Sequence, residues 1–316
     1  MHPAFRMSLL ILVSIVGILG LGSSTKALSA ANDHLLSPDN PARVSAHSWM
    51  IKGFPNIGIV VGKRATLVVD TGLGTRNGQI VANAALGLSG KGQKLYLTTT
   101  HYHAEHASGD AGFPPGTIVI RPRVQQAEME AEGQKLMDLF SSRSEQDKEL
   151  LQGVQIKSAD VLFDRSYSLD LGDVSVKLYW FGPAHTKGDE LILVEPDNVL
   201  FSGDVIQNKV GPYFYCSECT PRTWLGVVNQ VERLHPQIVV PDHSPPGDGS
   251  LIASERDFLA NLQARADALK SEGKSASDAG VILAAEFAAK YQGWTGLNHI
   301  REAVRRAYSD SGTGTP

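Results

Sequence analysis

A chain of 316 residues with 42% hydrophobic and 20% charged residues is large and apolar enough to bury a sizeable core, so disorder is not its default state. Its formal net charge of −4 shows no basic excess, which argues against nucleic acid or an anionic membrane as a partner and leaves a small-molecule substrate as the expectation.

The chain starts with Arg6 before an apolar run over residues 9–21, followed by the small residues Ser29, Ala30 and Ala31. This pattern predicts a secretory signal peptide over residues 1–31, cut after Ala30 or Ala31, and hence a periplasmic or secreted protein. The run is shorter than the roughly 20 apolar residues of a membrane span, so no stable span is expected after cleavage; an uncleaved anchor is the alternative. Cleavage removes Arg6 and Lys26 and no acid, taking the formal charge to −6.

Residues 32–46 read as a polar lead-in, and a domain is expected over 47–250. Short β-type runs at 49–52, 57–61 and 65–70 predict an antiparallel meander. Ile80, Val81, Ala84, Ala85 and Leu88 recur at helical spacing within 77–88, and a strand over 94–99 follows. Residues 125–140 and 144–151 are rich in helix formers and predict a helical insert, bounded at 123–153. Strands are expected at 166–171, 174–181, 191–195 and 199–202, then a helix at 224–234 and a buried strand at 238–241. Helices at 251–270, 276–291 and 297–308 would close the chain on the same domain, with a frayed tail after Ser309. Two successive strands-then-helix halves argue for an α/β architecture of two sheets face to face with helices on both outer sides.

The stretch Thr100-His101-Tyr102-His103-Ala104-Glu105-His106 places four candidate ligands within six positions at a strand end. On an extended segment alternate side chains share a face, so His101, His103 and Glu105 can converge, and a turn into a helix can bring His106 round. Three further candidates, His185, Asp204 and His243, each follow a predicted strand, where a rigid scaffold can hold them at one rim. The isolated His34, His47, His235 and His299 read as ordinary surface or core residues.

These residues together resemble the metallo-β-lactamase superfamily, whose signature is His-x-His-x-Asp-His followed by separate His, Asp and His residues. The resemblance covers roughly residues 48–243 and implies a four-layer αβ/βα sandwich. It implies two zinc ions, with iron or manganese as alternatives: metal 1 on His101, His103 and His185, metal 2 on Glu105, His106 and His243, and Asp204 bridging. A hydroxide between the ions would be the nucleophile, with Asp204 and Glu105 the catalytic carboxylates. Val69-Asp70-Thr71-Gly72 resembles the family element whose Asp buttresses the metal loops, although Asp70 would also suit a turn.

The departure is Glu105, where the family has Asp. The carboxylate suits zinc, iron or manganese, so ligation is expected, with metal 2 weakened or displaced by the extra methylene; the alternatives are a pure proton relay and support of a ligand from behind. Asp110 and Asp242 suit contacts to metal-bound imidazoles but read first as turn or capping residues. The loop from Gly211 to Cys219 combines aromatic residues with Cys216 and Cys219, which are expected to form a local disulfide if the protein is exported; it is a candidate pocket wall.

The expected function is metal-dependent hydrolysis of a β-lactam, lactone, ester or thioester. The alternatives are an iron-dependent sulfur oxidoreductase of the same fold and a non-catalytic periplasmic metal-binding protein. The substrate is not encoded in the ligands, and the oligomeric state is open.

Overall fold

Apolar alternation along the strands builds the layers. In the computed structural model, which describes residues 34–38 and 41–310, β1 (Ala42–Arg43), β2 (Ser48–Ile51), β3 (Ile57–Val61), β4 (Ala65–Val69), β5 (Lys94–Thr98), β6 (Ile118–Pro122) and β7 (Val161–Phe163) form one sheet in that order. Pairing is antiparallel from β1 to β4 and parallel from β4 to β7. A second sheet runs β13-β12-β11-β10-β9-β8, from β8 (Ser166–Asp170), β9 (Ser175–Tyr179), β10 (Leu191–Glu195), β11 (Val199–Gly203), β12 (Ile238–Pro241) and β13 (Gly247–Asp248).

Val60, Leu67 and Val69 of the first sheet meet Ile192, Val194, Val199 and Phe201 of the second in the central core. Their strand neighbours face outward: Ile57, Ile59 and Val68 pack under helix Gly74–Leu88. Leu191, Leu193, Leu200 and Val239 pack under helices Pro221–Glu232, Ser250–Ser271, Ala276–Lys290 and Ile300–Ser309. The result is the four-layer αβ/βα sandwich, because a period-two strand buries both faces only when something covers each.

Parallel neighbours require crossovers. Helix Gly74–Leu88 joins β4 to β5, and helix Arg123–Ser141 with helix Glu145–Leu150 lies between β6 and β7. Strands β6 and β7 were not anticipated; each is short, and the apolar residues Ile118 to Ile120 sit too close to the insert to show a period of their own. Residues 42–43, within the expected lead-in, pair with β2. The expected signal segment and residues 311–316 lie outside the described residues. Among the described residues no helix is long and apolar enough to cross a membrane.

Candidate metal centre

Strand β5 ends at Thr98, and the chain then turns so that His103 becomes the N-cap of the short helix Ala104–Ala107. The extended segment therefore stops before Glu105: His101 and His103 precede the helix, while Glu105 and His106 stand on its first turn, a correction to the alternate-face reading. All four are buried. Asp204 follows β11, His243 follows β12 by two residues, and His185 lies on the β9–β10 loop. These strand ends share one rim because β11 and β12 are parallel, as are β4 and β5.

Single donor atoms of His101, His103 and His185 lie within 4.8 Å of one another, as do those of Glu105, His106 and His243 and those of His101, His106 and Asp204. The first two triads are the sets that the resemblance assigns to separate ions. His185 Nε2 is 3.4 Å from His103 Nδ1 and 3.3 Å from Asp204 Oδ2. On the other side His243 Nε2 is 3.1 Å from His106 Nε2 and 3.4 Å from Asp204 Oδ1. Ligands about 2.0 to 2.1 Å from a tetrahedral cation stand about 3.3 Å apart, and these separations are of that size. Asp204 presents one oxygen to each half, the disposition of a bridging carboxylate. His101 Nε2 is buried without a hydrogen-bond partner, a costly arrangement for a site with no further occupant. The donor set fits divalent cations.

Protonation agrees with that fit. Burial, reinforced by the neighbouring imidazoles, holds His101, His103 and His243 well below the ordinary imidazole range, and burial lowers His185 to about 4. Four of the five rings are thus neutral at pH 7, as ligands must be. Burial pushes the Glu105 carboxyl up, so it gains from a nearby cation. His106 differs: burial lowers it, but Asp70 and Asp242 outweigh burial and raise it well above its usual value. A cation at Nε2 would therefore displace a proton.

The ligands are held from behind. Asp70 adopts a left-handed conformation (φ 69°), accessible to Asp at modest cost. It accepts from the Thr100 N–H (2.7 Å) and Thr100 hydroxyl (2.9 Å), and from His106 Nδ1 (3.0 Å). Asp242 lies 3.2 Å from His106 Nδ1 and 3.0 Å from the Thr100 hydroxyl, so it supports a ligand rather than simply forming a turn. Asp110 does not reach the cluster; its partner is Arg121 at 3.5 Å. His185 Nδ1–H donates to the Tyr213 carbonyl (2.7 Å), which leaves Nε2 as the lone-pair atom. Gln207 donates to Asp204 Oδ1 (2.7 Å).

A cavity of about 840 Å³ adjoins these residues. Its inner wall includes Tyr215 and Tyr102, whose rings lie 4.1 and 5.0 Å from that of His103. Helix Arg123–Ser141 supplies Val124, Leu136 and Leu139, and Cys216, disulfide-bonded to Cys219, lies opposite. Thr100 and Tyr213 had no sequence signal beyond proximity to the ligands, because each acts through a long-range contact; Gln207 reaches Asp204 from only three positions away but stands in no recognisable pattern.

The Metallo-beta-lactamase superfamily model matches residues 50–261. The chain belongs to this superfamily. A metallo-beta-lactamase from Pontibacter korlensis superposes with a TM-score of 0.56 at 18% identity, covering 70% of this chain and 99% of its own. The sec-alkylsulfatase Pisa1 from Pseudomonas sp. gives 0.64 at 15% identity, covering 88% of this chain and 52% of its own. A metallo-beta-lactamase from Hirschia baltica gives 0.55 at 14%, covering 71% of this chain and 98% of its own. At these identities the likeness shows the fold. No curated protein matches the sequence. The superfamily uses divalent metals, and this member retains His and Asp clusters at the shared rim.

Proposed function

We propose that this superfamily member is an exported hydrolase with two divalent cations, zinc in the first instance, that cleaves a carbonyl substrate of the β-lactam, lactone, ester or thioester class. His101, His103 and His185 would hold the first cation, Glu105, His106 and His243 the second, and Asp204 would bridge them. The observation that carries the reading is Asp204, with one carboxylate oxygen 3.3 Å from His185 and the other 3.4 Å from His243.

Bound cations would supply an acidified water nucleophile at neutral pH and Lewis-acid polarisation of the carbonyl. Asp204 and Glu105 are the carboxylates that would orient the attacking water, and one of them would take its proton. Asp70, Asp242 and Thr100 fix the His106 ring, and the Tyr213 carbonyl fixes His185. The cavity beside Tyr102 and Tyr215 would take the substrate's apolar arm. The Cys216–Cys219 disulfide supports export, since such bonds persist in oxidising compartments.

The test is hydrolysis of a chromogenic cephalosporin by the mature protein, with chelator and with zinc restored. Turnover lost to chelator and recovered with zinc supports a zinc hydrolase able to open β-lactams; no turnover directs the assay to lactones and thioesters. A sulfate ester is the second reading, because the sulfatase superposition reaches 88% of this chain against 70% and 71% for the two β-lactamases. Metal-dependent release of inorganic sulfate from an alkyl sulfate would favour it. Iron in the purified protein with thiol-dependent oxygen uptake would instead indicate the oxidoreductase.

A further inference from the structure

His34 and Asp147 are separated by 113 positions, yet His34 Nδ1 lies 2.7 Å from Asp147 Oδ1 and both residues are buried. Asp147 is fixed at the start of helix Glu145–Leu150, where its N–H donates to the Ser144 hydroxyl. His34 is fixed by Asn77, whose amide donates to the His34 carbonyl (2.7 Å) and accepts from the Leu36 N–H (2.9 Å). A packed polar pair with three anchors needs a reason, because burying it brings little stability.

Its position supplies one. The His34 ring stands 5.4 Å from that of Phe54, which stands 4.0 Å from His243, so one aromatic ring separates His34 from the second ligand triad. Among the buried polar atoms of this region that lack a hydrogen-bond partner, His34 Nε2 and Glu105 Oε2 are complementary, a ring nitrogen and a carboxylate oxygen.

We infer that the Asp147–His34 pair is a positioning device for Glu105, holding its carboxylate through one water in the orientation that serves the second cation. The inference rests on the dinuclear reading above. Asp147 holds the imidazole by Nδ1, which leaves Nε2 to face the carboxylate. His34 lies before the family-matched region, and Asp147 lies on the insert, so two segments outside the metal-bearing strands would complete the site.

The experiment titrates the metal-free mature protein with Zn²⁺ against a chromophoric chelator. For His34→Gln the second zinc is expected to bind about ten-fold or more weakly, with the first unchanged. Asp147→Asn should act in the same direction, and His34→Gln should add nothing in a Glu105→Gln background. His47→Gln, at a half-buried His paired with Asp197, serves as the control and should leave both affinities as they are. Wild-type affinities in a folded His34→Gln protein overturn the inference. So does an equal fall at both sites with a lowered melting temperature, which marks a structural pair. Uptake of only one zinc by the wild-type protein overturns the dinuclear function itself, and the inference with it.

Discussion

Replacing Glu255 by Gln should remove a pH-dependent weakness of the fold. Glu255 lies on helix Ser250–Ser271, is 1% exposed, and neither carboxyl oxygen has a hydrogen-bond partner. Burial raises its pKa from 4.5 to about 8, with the nearby Gln207 N–H offsetting a small part. The sign follows from linkage: the folded state holds a proton that the unfolded chain releases, so stability is lost as pH rises from the unfolded value toward the folded one. At about 1.4 kcal/mol per unit, this single group costs about 3 kcal/mol at pH 7 and about 5 kcal/mol above its folded pKa. Glutamine keeps the shape without the charge. Urea unfolding of both proteins at about pH 5 and about pH 8.5, in the same metal condition, should show the variant gaining about 3 to 4 kcal/mol on the wild type between the two. A change below about 1 kcal/mol would refute the argument and mean that Glu255 finds solvent or a partner when ionised.

Other expectations concern the metal centre. His103→Ala should lower the metal content of the purified protein, measured by elemental analysis, and Asp204→Ala should abolish turnover; unchanged metal in the first or full activity in the second would show that the site is misassigned. Glu105→Asp restores the family residue and should alter zinc stoichiometry or second-site affinity, whereas identical titrations would make Glu105 a bystander. Thr100→Val keeps the side-chain volume but removes the hydroxyl shared by Asp70 and Asp242, so zinc affinity should fall about ten-fold or more with the fold intact by circular dichroism.

The ligand chemistry was legible from sequence because much of it is local. Four donors between His101 and His106 need only one turn of chain to converge, and His185, Asp204 and His243 each follow a strand whose apolar residues announce it. The layer order was legible for the same reason: strands and helices declare themselves by periodicity within a few residues. Short strands β6 and β7 did not, and neither did the turn that places Glu105 on a helix rather than an extended segment.

The supporting shell belongs to tertiary structure alone. Asp242 reads as a turn residue until β12 sets its carboxyl beside His106, and Asp70 is separated from that ring by 36 positions. His34 reads as an ordinary histidine until the chain brings Asp147 against it and one aromatic ring between it and His243. Such contacts join common residue types across long separations, and no local pattern encodes a pairing that exists only once two sheets and their helices have packed.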